Sequence, residues 1–188
     1  QNLLLQTFSR YVAPSVLRQM LAVGFSQPLE AKRCHITVLS ADMENYSGLT
    51  LSGSLQDAAE LTREFLDCIT QPVLIHQGTL DKYTGDGLVA FWGAPLPMSD
   101  HSSKALGAAL QITRDVARWN QKRARQGKPM ARVRIGIEAG IALVGDLGTP
   151  FRRTYTAVGD CIYNASKIQS MARHYNHDIL VGPEAVAL

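Results

Sequence analysis

The chain has 188 residues, enough for one domain with a single buried core. Hydrophobic residues make up 46% and charged residues 19% of the sequence, which excludes disordered, fibrous and disulfide-stapled proteins. The net charge is only +3 and the three cysteines show no paired spacing, so we expect free thiols and no nucleic-acid partner. No apolar run approaches the ~20 residues that span a bilayer. We expect a cytoplasmic location, alone or as the cytoplasmic part of a membrane-anchored protein.

The first 30 residues are predicted to form a helical leader or linker that follows an upstream sensor or membrane region. Pro14 and Gly24 read as helix start and stop signals around an apolar segment. Residues 31–188 are predicted to form the main domain.

The main domain is predicted to begin with a buried strand over residues 35–41, which delivers Asp42 at its carboxyl end. A helix over residues 55–76 follows, with a kink at Pro72. The turn sequence TGDG predicts a β-hairpin over residues 79–93. The remaining predicted elements are a helix over 102–125, strands over 133–138, 141–144 and 153–158, a helix over 160–173 and a strand over 179–181.

The order of these elements mixes strands and helices without strict βαβ alternation, because the hairpin interrupts it. This order favours an α+β sandwich in which helices pack on a mixed or antiparallel sheet.

Two carboxylates are notable for their positions. Asp42 ends a strand, and Asp86 lies at the tip of a hairpin that is expected to pair beside that strand. Two carboxylates that converge at a sheet edge can bridge hard cations such as Mg²⁺. Taken singly, Asp42 is better explained as a cap or turn residue and Asp86 as part of an ordinary Asp-Gly turn.

Four blocks of sequence follow one another from about residue 35 to residue 182. The blocks are ITVLSADMENYS (36–47); KYTGD (82–86) with FWGAP (91–95); RIGIEAG (134–140) with GDLG (145–148); and RRTYTAVGD (152–160). In order and spacing they resemble the catalytic domain of class III adenylate and guanylate cyclases. The resemblance implies a ferredoxin-like or palm-like sandwich fold.

The resemblance also implies a metal and phosphate site. Asp42 and Asp86 match the family's metal-binding aspartates, with the Met43 carbonyl as a further ligand for two Mg²⁺ or Mn²⁺ ions. Backbone amides of the segment that follows would hold the terminal phosphates of ATP. That segment comprises Glu44, Asn45 and Tyr46, with Asn45 in place of the family glycine.

Lys82 and Thr156 match the residues that select the purine in this family. The Lys and Thr pair resembles the bacterial adenylate cyclases, whereas guanylate cyclases of the family carry Glu and Cys. A lysine donor can approach adenine N1, while guanine presents a donor at that position. Without the resemblance, Lys82 would be interpreted as a solvated strand residue and Thr156 as an ordinary β-former.

One block departs from the family pattern. The family continues its Gly-Asp pair as x-V-N-x-A-x-R, and its Asn and Arg orient the ribose and stabilise charge on the α-phosphate. Here Tyr163 stands at the Asn position and Lys167 at the Arg position of these catalytic residues. Asn164 is no simple substitute, because one helical step rotates a side chain by about 100°. The chain also stops before the final hairpin, where the family carries a phosphate-binding basic residue.

The resemblance implies an adenylate cyclase that converts ATP to 3′,5′-cyclic AMP and pyrophosphate at a homodimer interface, by two-metal catalysis, in signal transduction. The substitutions at Tyr163 and Lys167 motivate an alternative. In that alternative the chain is a degenerate cyclase homology domain, which binds nucleotide or dimerises to regulate a partner. A diguanylate cyclase is a third option, but it should carry a GGDEF-type hairpin, which TGDGL is not.

Overall fold

The computed structural model describes residues 6, 9, 14–23, 30–44, 53–151 and 154–188. The helices are α1 (Pro14–Val23), α2 (Leu55–Ile75), α3 (His101–Arg125), α4 (Asp160–His174) and α5 (Pro183–Val186). The strands are β1 (Lys32–Glu44), β2 (Thr79–Tyr83), β3 (Gly87–Trp92), β4 (Arg132–Asp146), β5 (Tyr155–Val158) and β6 (Ile179–Val181). None of the described helices is long and apolar enough to cross a membrane.

The described strands form one sheet with the order β2-β3-β1-β4-β5, and β6 pairs with β4. The β6–β4 pair is parallel and the other pairs are antiparallel, so the sheet is mixed. Helices pack on this sheet, which confirms the predicted α+β class. The long strands β1 and β4 lie at its centre, and β1 carries Asp42 and Met43.

The sheet buries apolar side chains on both faces, because successive residues of a strand point to opposite sides. On one face, Phe65 and Ile69 of α2 and Ile112 of α3 pack with Leu39 and Ile135 of the central strands. The other face is covered by β5 and by the start of α4. Its buried cluster includes Ile36, Val38, Phe91, Tyr155, Cys161 and Ala165.

The central strands are longer than predicted. β1 extends beyond residues 35–41 in both directions, so Asp42 lies inside the strand, paired with Gly87 and Arg134, and not beyond its end. β4 is one continuous strand where two were predicted around Gly140. Gly140 pairs with Ile36, and a Cβ at this position would lie 3.1 Å from the Cys161 Cβ. The glycine therefore admits α4 against the strand and does not interrupt it.

Several other predictions concern the helices and cysteines. α1 agrees with the second part of the predicted leader, while the first part lies almost wholly outside the described residues. Pro72 lies in the last turn of α2, which ends within one residue of its predicted end. All three cysteines are free thiols, as predicted.

The basic residues around the end of α3 are not all exposed to solvent. Arg123 is buried, with its guanidinium 5.1 Å from the ring centroid of Trp119. It donates hydrogen bonds to Glu64 Oε2 at 2.5 Å and to the carbonyl of Pro129 at 2.6 Å. Burial of this arginine is tolerated because its charge is paired with Glu64 and its N–H groups donate hydrogen bonds.

Candidate active site

The structure brings Asp42 and Asp86 into contact. Asp42 pairs with Gly87 across β1 and β3, and the Met43 amide donates to the Asp86 carbonyl at 3.2 Å. The Asp86 carboxyl lies close enough to interact with Asp42, whose pKa it raises. Gly87 permits this close approach, since a Cβ there would lie 2.1 Å from the Ala41 carbonyl oxygen and 2.9 Å from Asp42 Oδ1.

This contact changes the protonation of Asp42. Burial, then the hydrogen bond and negative charge of Asp86, raise the pKa of Asp42 from 3.8 to about 7. The Met43 amide and the Arg173 charge act in the opposite direction. In the absence of a bound cation, the folded chain therefore keeps a proton between about pH 4 and pH 7 that the unfolded chain has released. By linkage, this group lowers the free energy of unfolding as the pH rises through that window.

Charged groups from distant parts of the chain surround the end of β1. Arg173 of α4 lies within 3.5 Å of the Met43 carbonyl oxygen, to which it donates. Glu44 forms a salt bridge of 2.6 Å with Arg134, a buried residue that also donates to the His177 carbonyl. The Glu44 carboxylate is thus engaged, and the Glu44 backbone pairs with Arg132 of β4, so its predicted phosphate contact stays a prediction.

The other two residues of the predicted phosphate-binding segment, Asn45 and Tyr46, lie outside the described residues. Their role stays a prediction.

Lys82 and Thr156 belong to strands at opposite ends of the hydrogen-bonded order, but they lie in one region of the molecule. The Thr156 hydroxyl donates to Asp81 Oδ1 at 2.5 Å, although the two residues are 75 positions apart. The rings of Phe91 and Tyr155 also approach, with centroids 6.4 Å apart. The sheet is therefore curved, so that β5 at one end of the strand order contacts β2 at the other end.

Asp81 was missed by the sequence analysis, although it directly precedes Lys82. It is an acidic residue in a strand whose first three positions are buried, and only 5% of its surface is exposed. An acid within a short buried strand is the signal that could have identified it, because acids are almost never fully buried unless they are paired.

Tyr163 and Lys167 lie four residues apart on an exposed side of α4. The Tyr163 side chain is 65% exposed, and the Lys167 ammonium lies 5.0 Å from its ring centroid. Within the described residues, neither side chain forms a hydrogen bond or ion pair with Asp42 or Asp86. The structure of one chain therefore does not bring Tyr163 and Lys167 to the two carboxylates.

Comparison with known proteins identifies the family. The profile of the "Adenylate and Guanylate cyclase catalytic domain" family matches residues 30–188, and the chain belongs to this family. Adenylate cyclase 1 of Rhizobium meliloti (strain 1021) is 29% identical over 181 residues, which are 96% of this chain and 27% of that protein. The chain thus spans little more than a quarter of that relative's length.

Solved structures agree in fold. The adenylyl cyclase CyaB from P. aeruginosa matches with a TM-score of 0.76 at 25% identity, covering 85% of this chain and 82% of that one. The guanylyl cyclase Cya2 also matches with a TM-score of 0.76, at 22% identity, covering 84% of this chain and 79% of that one. The fold is therefore the cyclase fold. Because it is shared by enzymes named for either nucleotide, it does not identify the purine.

Proposed function

We propose that this chain is an adenylate cyclase domain that converts ATP to 3′,5′-cyclic AMP and pyrophosphate at the interface of a homodimer. The observation that carries the proposal is the contact between Asp42 and Asp86 at the end of the central strands. Family membership gives this contact its chemical meaning.

The residues at this contact fit a pair of divalent cations. Both carboxyl groups are partly buried and touch each other, and a bound cation would compensate their mutual repulsion. Among the described residues, no third His, Cys, Asp or Glu completes a metal cluster with them. Mg²⁺ commonly binds through one or two carboxylates together with substrate phosphates. Asp42, Asp86 and the Met43 carbonyl would hold two Mg²⁺ or Mn²⁺ ions.

Bound divalent ions would lower the pKa of the ribose 3′-hydroxyl and neutralise charge on the phosphates. The chain's own residues orient the nucleotide. Lys82 of the second protomer donates to adenine N1, and Thr156 of that same protomer accepts from the 6-amino group. Tyr163 and Lys167 of the second protomer face the ribose and the α-phosphate, since one chain alone leaves them apart from the carboxylates. The homodimer then contains two composite sites.

The direct test is a product assay with the purified chain, ATP or GTP, and Mg²⁺ or Mn²⁺. We expect cyclic AMP to form faster than cyclic GMP, with a specific activity that rises with protein concentration until the dimer is saturated. Chromatography and mass spectrometry identify the product, and sedimentation gives the oligomeric state. A chain that is fully dimeric and forms neither cyclic nucleotide would contradict the proposal.

Metal binding at Asp42 should depend on pH. Because the pKa of Asp42 is about 7, a cation must displace a proton below that pH, and its affinity falls as the pH falls. We expect the apparent Kd for Mn²⁺ to rise roughly tenfold from pH 7.5 to pH 6 and to change little from pH 7.5 to pH 8.5. Calorimetric titrations in matched buffers measure this directly. An equal affinity at pH 6 and pH 8 would show that Asp42 does not bind the metal.

One observation favours a second candidate function, a regulatory domain that binds nucleotide or dimerises without substantial turnover. The Lys167 ammonium already lies over the Tyr163 ring, so the charge that would face the α-phosphate has another partner. The rate of the natural chain separates the two candidates, because a regulatory domain would bind ATP and form almost no cyclic AMP.

A further inference from the structure

The residue before Lys82 occupies a bulge in its strand. Leu80 pairs with Ala90 and Lys82 pairs with Val89, so Asp81 is an extra residue between two consecutive pairs. A bulge redirects side chains at the point where it occurs. Here it places the Asp81 carboxyl in the interior and leaves Lys82 exposed.

In the described part of the chain, the Asp81 carboxyl accepts a side-chain hydrogen bond from the hydroxyl of Thr156. The hydroxyl donates to Oδ1 at 2.5 Å, a length typical of hydrogen bonds to a charged acceptor. Burial raises the pKa of Asp81, while the Thr156 hydrogen bond and the Lys82 charge counteract this effect. A carboxylate oxygen can only accept, so the single proton of Thr156 is committed to Asp81.

The committed proton determines what Thr156 offers to a ligand. Its remaining lone pairs can only accept hydrogen bonds. Adenine carries a donor amino group at its 6-position, whereas guanine carries an acceptor oxygen there. A hydroxyl fixed as an acceptor therefore matches adenine and repels guanine, while a freely rotating hydroxyl would accommodate either.

The second oxygen of Asp81 is buried and has no hydrogen-bond partner in the described part of the chain. An unpaired buried acceptor is destabilising, and an apolar pair of similar shape would hold two strands together at lower cost. The carboxylate is therefore poorly explained by fold stability alone.

We propose that Asp81 is a positioning residue that fixes the hydroxyl orientation of Thr156 and thereby selects ATP over GTP. The inference rests on the proposed function, because it takes Thr156 to face the purine. Asp81 itself acts through Thr156 and not on the nucleotide.

The test is a double-mutant cycle with Asp81→Asn and Thr156→Val. Asparagine keeps the shape, but its amide can donate to the Thr156 oxygen and release the hydroxyl proton towards the purine. We expect Asp81→Asn to lower the ATP-over-GTP ratio of kcat/KM roughly tenfold or more when Thr156 is present, and less than about twofold in the Thr156→Val background. Thr156→Ser, which keeps the hydroxyl, should retain the natural ratio.

A binding arm keeps this test separate from the proposed function. ATP and GTP compete against a fluorescent ATP analogue, with Ca²⁺ in place of Mg²⁺ to limit turnover. This competition gives the ATP-over-GTP ratio of binding affinities at equilibrium. If the natural chain binds ATP preferentially but makes no cyclic nucleotide, the proposed function fails while the binding ratios still test Asp81. A ratio unchanged by Asp81→Asn, or lowered equally in both backgrounds, overturns the inference. Asp81→Ala serves as a second variant if Asp81→Asn fails to fold.

Discussion

Asp42→Asn is expected to reduce cyclic AMP formation at least about 1000-fold, which corresponds to a loss of about 4 kcal/mol of transition-state stabilisation. The change removes one of two carboxylates that lie in contact at the end of the central strands. An amide has nearly the same shape but carries no charge, so it binds Mg²⁺ far more weakly. Asp86→Asn should have an effect of similar size. Initial rates at saturating ATP and increasing Mn²⁺ measure the loss.

Stability measurements separate this effect from misfolding. Because Asp86 and burial raise the pKa of Asp42, ionisation of Asp42 opposes folding when no cation is bound. Asp42→Asn should therefore unfold at the same temperature as the natural chain, or a higher one, at pH 8 in EDTA. Asp67→Asn is the matched control, since Asp67 is exposed on α2 and accepts a hydrogen bond from Gln71 on the same helix. A variant at Asp42 that keeps a tenth of the natural activity would rule out its role as a metal ligand.

The elements that the sequence predicted best are those specified by local pattern. The turn chemistry of TGDG gave the hairpin, and helical spacing of apolar residues gave α2 and α3 to within one residue at each end. β1 was predicted too short because Lys32 and Arg33 look like loop residues, yet they extend the strand by pairing with β4. Such pairing depends on residues more than a hundred positions away, which a local pattern does not contain.

The same contrast between local pattern and distant pairing applies to the candidate site. The contact between Asp42 and Asp86 was foreseeable, because a hairpin was expected to pair beside the first strand. The contact between Asp81 and Thr156 was not foreseeable. It depends on a bulge in β2 and on a curvature of the sheet that brings β5 into contact with β2. Periodicity within a strand cannot reveal either feature, since both depend on the register and twist of the neighbouring strands.

Tyr163 and Lys167 are the positions where the sequence motif predicts a departure from the catalytic residues of the family. They are one helical turn apart on α4, and the ammonium lies against the aromatic ring. Tyrosine lacks the amide that can both donate to and accept from a ribose hydroxyl. Lysine keeps the charge of arginine but lacks its planar fork of donors. If the two residues face the nucleotide as proposed, the natural pair offers fewer oriented hydrogen bonds to the transition state than Asn and Arg would.

The double variant Tyr163→Asn with Lys167→Arg is expected to raise kcat for cyclic AMP formation about 100-fold. Restoring one preorganised donor of this kind is worth roughly 100- to 1000-fold in rate, and part of that gain is lost if the neighbouring side chains do not adjust. The two single changes should each give much less than half of the combined gain on a logarithmic scale, because both groups act on the same phosphate and ribose. Single-turnover measurements identify the gain as chemistry and not product release.

Asn164→Ala tests which side of α4 faces the nucleotide. Asn164 is exposed and directly follows Tyr163, but its side chain leaves the helix about 100° away. We expect its rate to stay within about twofold of the natural chain. A large loss in Asn164→Ala, with no gain in the double variant, would mean that α4 presents Asn164 to the ribose and that Tyr163 is not in the site. A double variant that becomes active from an undetectable natural rate would instead identify the natural chain as a regulatory domain, since only its α4 residues would then separate it from an enzyme.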